Sequence, residues 1–214
     1  MKDYSFYGSK EGGVPLFVLN TFDGDGLLEW GALKKITNKP VDLIVIHGAD
    51  WDADMTPYPA VPLYKGNHFL GQGEKHLRYI KEEVLPLVTK LLTNPPSFYG
   101  IAGYSLAGLF ACSTLFWDSP FTRVASASGS LWYPGFLDFA QKYEDSLTDK
   151  FVSLSLGNKE SLAKNPTMAQ VGKKTEEFLA LIKEKGAQIS FEWNEGNHFV
   201  DAEGRMARAI AKLL

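Results

Sequence analysis

Short apolar runs recur along the chain, each ending in or near turn residues. "PLFVLNTF" (15–22), "VDLIVIHG" (41–48), "FYGIAGY" (98–104), "RVASASGS" (123–130), "FVSLSLG" (151–157) and "ISFEW" (189–193) all read as strands. Apolar through much of their length rather than strictly alternating, they suit a mostly parallel sheet covered on both faces. Between them the apolar period lengthens. "EKHLRYIKEEVLPLVTKLL" (74–92) places Leu77, Ile80, Val84, Leu87, Val88 and Leu91 at helical spacing, with Pro86 expected to kink or break it. "LAGLFACST" follows the strand at 98–104 as a helix of small and apolar residues, and "YPGFLDFAQKYE" holds a further helix. "VGKKTEEFLALIKEKG" (171–186) closes on Gly186, a fitting residue just beyond a helix end, and "AEGRMARAIAKLL" (202–214) is the last helix. Strand and helix alternate, which predicts an α/β architecture: a three-layer sandwich around a mostly parallel sheet.

One segment breaks the alternation. "ADWDADMTPYPAVPLYKGNHFLGQG" (49–73) carries prolines at 57, 59 and 62 and shows no helical period. Connections this long within a domain are usually functional or disordered. Trp51, Tyr58, Tyr64 and Phe69 favour an ordered loop that packs against something. No repeat, low-complexity tract or linker-like shift divides the 214 residues, so a single domain over 1–214 is expected.

Composition narrows the functional classes. A formal net charge of -3 with no basic stripe argues against nucleic-acid binding. Cys112 is the only cysteine, which excludes an intrachain disulfide and a cysteine-rich zinc site, and its apolar helical setting predicts a buried, inert thiol. The opening "MKDYSFYGSK" lacks the apolar stretch of a signal peptide, and no apolar run reaches the roughly 20 residues of a membrane span, so a cytoplasmic location is expected. Asp50, Asp52 and Asp54 lack the glycine turn and closing glutamate of a calcium loop and read as solvated carboxylates. No metal or cofactor is called for.

The chemistry gathers at "GYSLAG". A nucleophilic serine sits on a sharp strand-to-helix turn, where the residues two before and two after it must be small. Gly103 meets this fully; Ala107 adds one methyl, and Gly108 beside it keeps the helix face small. A serine that merely caps a buried helix would look similar, so Ser105 needs partners. In the order serine, acid, histidine, the base must follow Ser105, and of the four histidines only His198 does. It lies after the last strand, at the same sheet edge as the serine, whereas His47 precedes the turn and reads as structural. The acid should leave the preceding strand. Glu160, three residues beyond Gly157, is best placed, with Asp201 as the alternative. For an oxyanion hole, one backbone N–H should come from Leu106 and the other from the turn after "LIVIHG", at Ala49 or else Asp50.

With these residues in view, the chain resembles the Putative esterase family of α/β-hydrolases, which includes enterochelin (siderophore) esterases and esterase D. The similarity rests on "LIVIHGADWDADMTPYPA" with Thr56-Pro57-Tyr58-Pro59, on "GYSLAGLFA", "SASGSLWY", "SLGNKE" and "GNHF", and spans about 43 to 198. The resemblance implies an esterase with Ser105 as nucleophile, His198 as base and Glu160 as acid. Tyr104 and Ala107 depart from the His and Gly often found in relatives, and no basic cluster of the kind that accompanies catecholate substrates is evident.

Ser130 to Lys150 leaves room for one helix and no cap domain. An open cleft is therefore expected, walled by the 49–73 loop, Trp132 and Tyr133, with Trp51, Tyr58, Tyr104 and Trp132 as substrate-contacting residues. Such a cleft suits a small-molecule ester of a bulky or aromatic acid, siderophore-like ones among them. Acyl transfer or thioester hydrolysis by the same residues, and a silent binding module of the same fold, are the alternatives. The sequence does not decide oligomeric state.

Overall fold

Alternation along the central strands sorts their side chains into two apolar layers. In the computed structural model, which describes residues 2–63, 66 and 68–214, seven strands form one sheet. These are β1 (Asp3–Tyr7), β2 (Leu16–Asn20), β3 (Asp42–His47), β4 (Tyr99–Tyr104), β5 (Arg123–Ala127), β6 (Phe151–Gly157) and β7 (Gln188–Asn194). Their order is β1-β3-β2-β4-β5-β6-β7, and all neighbours are parallel except the β1/β3 edge pair. Leu16, Val18, Ile44, Ile46, Ile101 and Val124 face one layer; Phe17, Leu19, Leu43, Val45, Ala102 and Ala125 face the other.

Helices cover both faces, completing the three-layer α/β architecture. On the smaller face lie α1 (Leu27–Ile36) and the C-terminal helix, through Leu33, Met206, Ala207 and Ile210. The larger face takes α2 (Trp51–Asp54), α3 (Gly73–Tyr79), α4 (Leu85–Thr89), α5 (Leu106–Ser113), α6 (Phe136–Gln141) and α7 (Val171–Glu184). The last helix is α8 (Ala202–Ala211). Between β5 and β6 the chain carries α6 and no cap.

Each of the strands expected from sequence is present. Besides the short α2, which lies in the stretch without a helical period, two elements escaped the pattern. β1 is a half-buried edge strand without a continuous apolar run, and α1 displays Leu27 and Leu28 to solvent (60% and 71% exposed), so its leucines mark no buried stripe. Pro86 does not end its helix. A π-helical turn at Ile80–Val84, closed by Leu85 N–H to the Ile80 carbonyl, joins α3 to α4 and places the proline in the first turn of α4, where it needs no N–H. Gly186 (φ 94°) ends α7 as expected: its N–H reaches the Lys183 carbonyl and that of Ala187 the Ile182 carbonyl, both at 3.0 Å, the double bond of a left-handed helix stop. Cys112 is fully buried, and burial pushes its thiol up to about 12. Among the described residues no helix is long and apolar enough to cross a membrane.

The segment 49–73 is ordered where described, holding α2 and a bridge between Pro59 and Leu70. Tyr64 lies outside the described residues. Its three aspartates serve local structure. Asp50 accepts the Ala53 N–H at 3.2 Å, Asp54 accepts the Asp50 N–H and pairs with Lys2, both at 2.9 Å, and Asp52 accepts the His68 N–H at 3.0 Å.

The β4–α5 junction has no slack. A Cβ on Gly103 would stand 2.1 Å from the Ala107 carbonyl oxygen, and one on Gly108 would stand 3.1 Å from the Gly103 carbonyl oxygen, so strand and helix touch backbone to backbone. Gly103→Ala is expected to cost at least about 2 kcal/mol in urea denaturation. Gly31→Ala, in α1 with nothing within 4 Å, is expected to leave stability unchanged or raise it by up to about 1 kcal/mol.

Candidate active site

The turn at the end of β4 reverses the chain so sharply that Ser105 takes φ 58° and ψ -123°, a conformation that residues with a side chain avoid. Close contact between Gly103 and the Ala107–Gly108 backbone makes this turn possible, and the Ala107 methyl is accommodated fully buried in the larger core. The Ser105 carbonyl accepts N–H groups from Leu109 (3.1 Å) and Ser130 (3.0 Å), which fixes the strained residue from both sides. Its hydroxyl is thereby held above the C-terminal edge of the parallel strands.

His198 arrives from the loop between β7 and α8. Its Nε2 lies 3.1 Å from Ser105 Oγ, and its Nδ1 lies 2.8 Å from Glu160 Oε2. An ionised carboxylate only accepts, so the ring proton belongs on Nδ1 and the Nε2 lone pair faces the serine hydroxyl. Tyr104 Oη donates to the His198 carbonyl at 2.7 Å and so anchors the loop that carries the ring.

Glu160 opens a single 3-10 turn just after β6 and is 5% exposed. Its Oε1 is saturated: Ser128 Oγ and the Gly157 N–H donate at 2.7 Å, and Arg205 Nη1 at 3.1 Å. Only Oε2 is left for the imidazole. Burial opposes ionisation of this carboxyl, but hydrogen bonds from His198, Ser128 and Gly157 outweigh it and hold the group below its usual range. Asp201, the alternative acid, is turned away: it precedes α8 in a left-handed conformation and pairs with Arg208 at 3.0 Å.

Arg205 is the residue that sequence reasoning missed. Buried to 1% exposure, it bonds Glu160, Ser128 Oγ (3.0 Å), Tyr104 Oη (3.3 Å) and the Glu195 carbonyl (2.7 Å). A signal for it exists in the sequence. It occupies the apolar stripe of α8 beside Met206 and Ala209, where a charge must find a partner.

A cleft of about 800 Å³ opens over Ser105, Leu106, Glu160 and His198. Trp51, Phe69, Trp132, Met168, Val171 and Phe199 are among the residues that line it. Of the expected substrate contacts, Trp51 and Trp132 line this cleft, and Tyr104 lines a smaller adjoining one. Tyr58 lines neither described cleft. Its ring packs against Tyr133 and Phe139, and its hydroxyl donates to the Pro134 carbonyl, so it braces the loop from within. Tyr133, expected as a wall, is likewise buried (2% exposed). Leu106 lines the large cleft, whereas Ala49 packs against the core and is not among its lining residues. Asp50 does line it, but its N–H is committed to Asp54. His47 stays apart from this group, within 3.4 Å of Ser5 Oγ.

Known proteins share this arrangement of elements. An IroE-like serine hydrolase from Shewanella oneidensis superposes with a TM-score of 0.81 at 18% identity, covering 99% of this chain and 75% of that one. Siderophore hydrolase EstB from Aspergillus nidulans gives 0.76 at 18% identity, covering 100% and 89%. The enterobactin esterase FES from Shigella flexneri gives 0.73 at 21% identity, covering 99% and 55%. The uncharacterized protein YbbA of Bacillus subtilis is 30% identical over 137 residues, which are 62% of this chain. The match spans 55% of YbbA's own length. The model of the family described as Putative esterase matches residues 7–202, and the chain belongs to that family.

Proposed function

We propose that the protein is a serine hydrolase of carboxylic esters acting through an acyl-enzyme on Ser105. The observation that carries this is the continuous chain from Ser105 Oγ to His198 Nε2 (3.1 Å) and from Nδ1 to Glu160 (2.8 Å), built on a serine whose strained backbone has no other evident use.

His198 Nε2 takes the Ser105 proton as Oγ attacks the ester carbonyl. The oxygen that becomes negative is stabilised by the Leu106 N–H and by a second N–H from the turn after β3, at Ala49. Asp50 is the weaker source within that turn, because Asp54 already holds its N–H. Glu160, ionised below its usual range, balances the imidazolium charge. The imidazolium then protonates the leaving alcohol, and a water deprotonated at the same nitrogen releases the acid. The His198 side chain is 31% exposed, so water reaches the nitrogen that deprotonates it in the second half of the reaction. The large aromatic cleft suits a bulky, apolar or aromatic acyl group, and the relatives that act on siderophores are consistent with acyl groups of that size.

The first test is turnover of a short-chain nitrophenyl ester. The wild type is expected to release nitrophenol and Ser105→Ala to lose at least about 10⁴-fold in kcat/KM. Equal inactivity of both, with no labelling by a fluorophosphonate, would instead favour a silent binding module.

Two further outcomes follow from Glu160. Its carboxyl is held below the ordinary value of 4.5, so the stability it contributes is fully present above that value and is lost as pH falls through its lower folded value. Glu160→Gln is therefore expected to flatten the loss of stability below about pH 4.5 in denaturation series, and to lower kcat/KM by roughly 10³-fold to 10⁴-fold at neutral pH. Arg205→Leu leaves the buried carboxylate without its countercharge and is expected to cost about 3–5 kcal/mol by urea denaturation.

A further inference from the structure

Ser105 and His198 stand at the junction of two clefts. The second, of about 370 Å³, shares Phe22, Trp51 and Phe199 with the first and is lined besides by Asn20, Tyr104 and three carboxylates, Asp23, Glu29 and Glu203. No lysine or arginine lines it among the described residues. Glu29 sits on α1 and Glu203 on α8, two helices packed against each other. Burial, with the charges of Glu203 and Asp25 added, pushes the Glu29 carboxyl above its ordinary range. Uncompensated like charges cost stability, and proteins tend to retain them where a ligand supplies the missing charge.

A second polar group beside these carboxylates is left unmatched. Asn20, 2% exposed, spends its Oδ1 on His76 Nε2 (2.7 Å) and leaves its Nδ2 with no hydrogen-bond partner, although the residue lines this cleft. The cleft thus presents carboxylates that want a cation, while Asn20 Nδ2, itself shielded from solvent, is left without an acceptor. Its walls select among cations. Carboxylates alone would suit a hydrated metal ion, but Phe22 and Trp51, edge to face at 5.3 Å, and Phe199, 87% exposed, offer ring surface rather than ligand atoms. Ring faces beside carboxylates are what an alkylated ammonium group uses.

We propose that this smaller cleft is a subsite for an organic cation, the ammonium-bearing alcohol portion of an amino-alcohol ester. The subsite itself follows from the cleft, while its assignment to the alcohol rests on the ester-hydrolase function. Leu106, whose N–H marks the carbonyl side, lines only the large cleft, so the acyl group occupies that one. The leaving alcohol then enters the smaller cleft, where its oxygen meets His198 Nε2 and its cation meets Glu29 and Glu203.

The experiment compares benzoylcholine with 3,3-dimethylbutyl benzoate, its uncharged analogue of the same shape, and measures binding of free choline by calorimetry. The wild type is expected to favour benzoylcholine about tenfold in kcat/KM, the size expected of a partly exposed charge contact supported by aromatic faces. In the double variant Glu29→Gln, Glu203→Gln that ratio is expected to fall close to one and choline binding to be lost. Removing two like charges relieves repulsion, so a thermal melt no lower than wild type shows that the variant is folded. Equal turnover of the two esters overturns the subsite while leaving the hydrolase standing. Choline binding abolished by the double variant, with neither these esters nor the nitrophenyl ester hydrolysed, supports the subsite and overturns the hydrolase instead. Choline binding that is absent from the wild type, or unchanged in the double variant, overturns the proposal. So does a preference for 3,3-dimethylbutyl betainate, which carries the cation on the acyl side.

Discussion

A carboxylate buried at the sheet's C-terminal edge organises everything around it. Glu160 cannot be taken out of water uncompensated, and its compensation comes from separate parts of the chain: Ser128 after β5, Gly157 at the end of β6, His198 after β7 and Arg205 in α8. Arg205 extends the set to Tyr104 at the end of β4, which returns to the His198 carbonyl. Satisfying this one group therefore ties together the ends of four parallel strands and the last helix. The same contacts leave a single carboxylate oxygen for the imidazole and set the ring's orientation toward Ser105. Stability and chemistry draw on the same hydrogen bonds here, and they should fail together.

Around that centre the molecule is asymmetric. The α5 side carries a large, mostly apolar cleft roofed by the 49–73 segment, while the α1 and α8 side carries a smaller, acidic one. Ser105 lies where they meet, which under the proposed function would suit an ester with chemically different halves. The aspartates of the 49–73 segment look alike in sequence to the carboxylates of the smaller cleft, yet they act differently. Asp50 and Asp54 build the turn beside the serine, with Lys2 drawn in as countercharge.

How much of this was legible depended on how many physical demands converged on a residue. The doubly covered strands announced themselves because both of their faces are buried. The Ser105, Glu160 and His198 set was legible through chain order and strand-end placement, two independent constraints. Tyr58 was not, because an aromatic residue in a proline-rich loop reads the same whether it faces a ligand or braces the loop from beneath. Arg205 left a trace that pattern reading passed over: a guanidinium in the apolar stripe of α8. Phe22 and Phe199 left none, since exposed aromatics acquire meaning only once folding gathers them at one opening. The acidic cleft joins residues from positions 20–29 and 202–206, and no spacing along the chain foretells that meeting.

The most direct test of the central claim, that Ser105 is an activated nucleophile, is to treat the folded protein with a fluorophosphonate and map the adduct by peptide mass spectrometry. The geometry predicts one adduct, on the peptide carrying Ser105, formed much more slowly when His198 is replaced by alanine. An adduct on Ser128 or Ser130 instead, or a labelling rate indifferent to His198, would contradict the account.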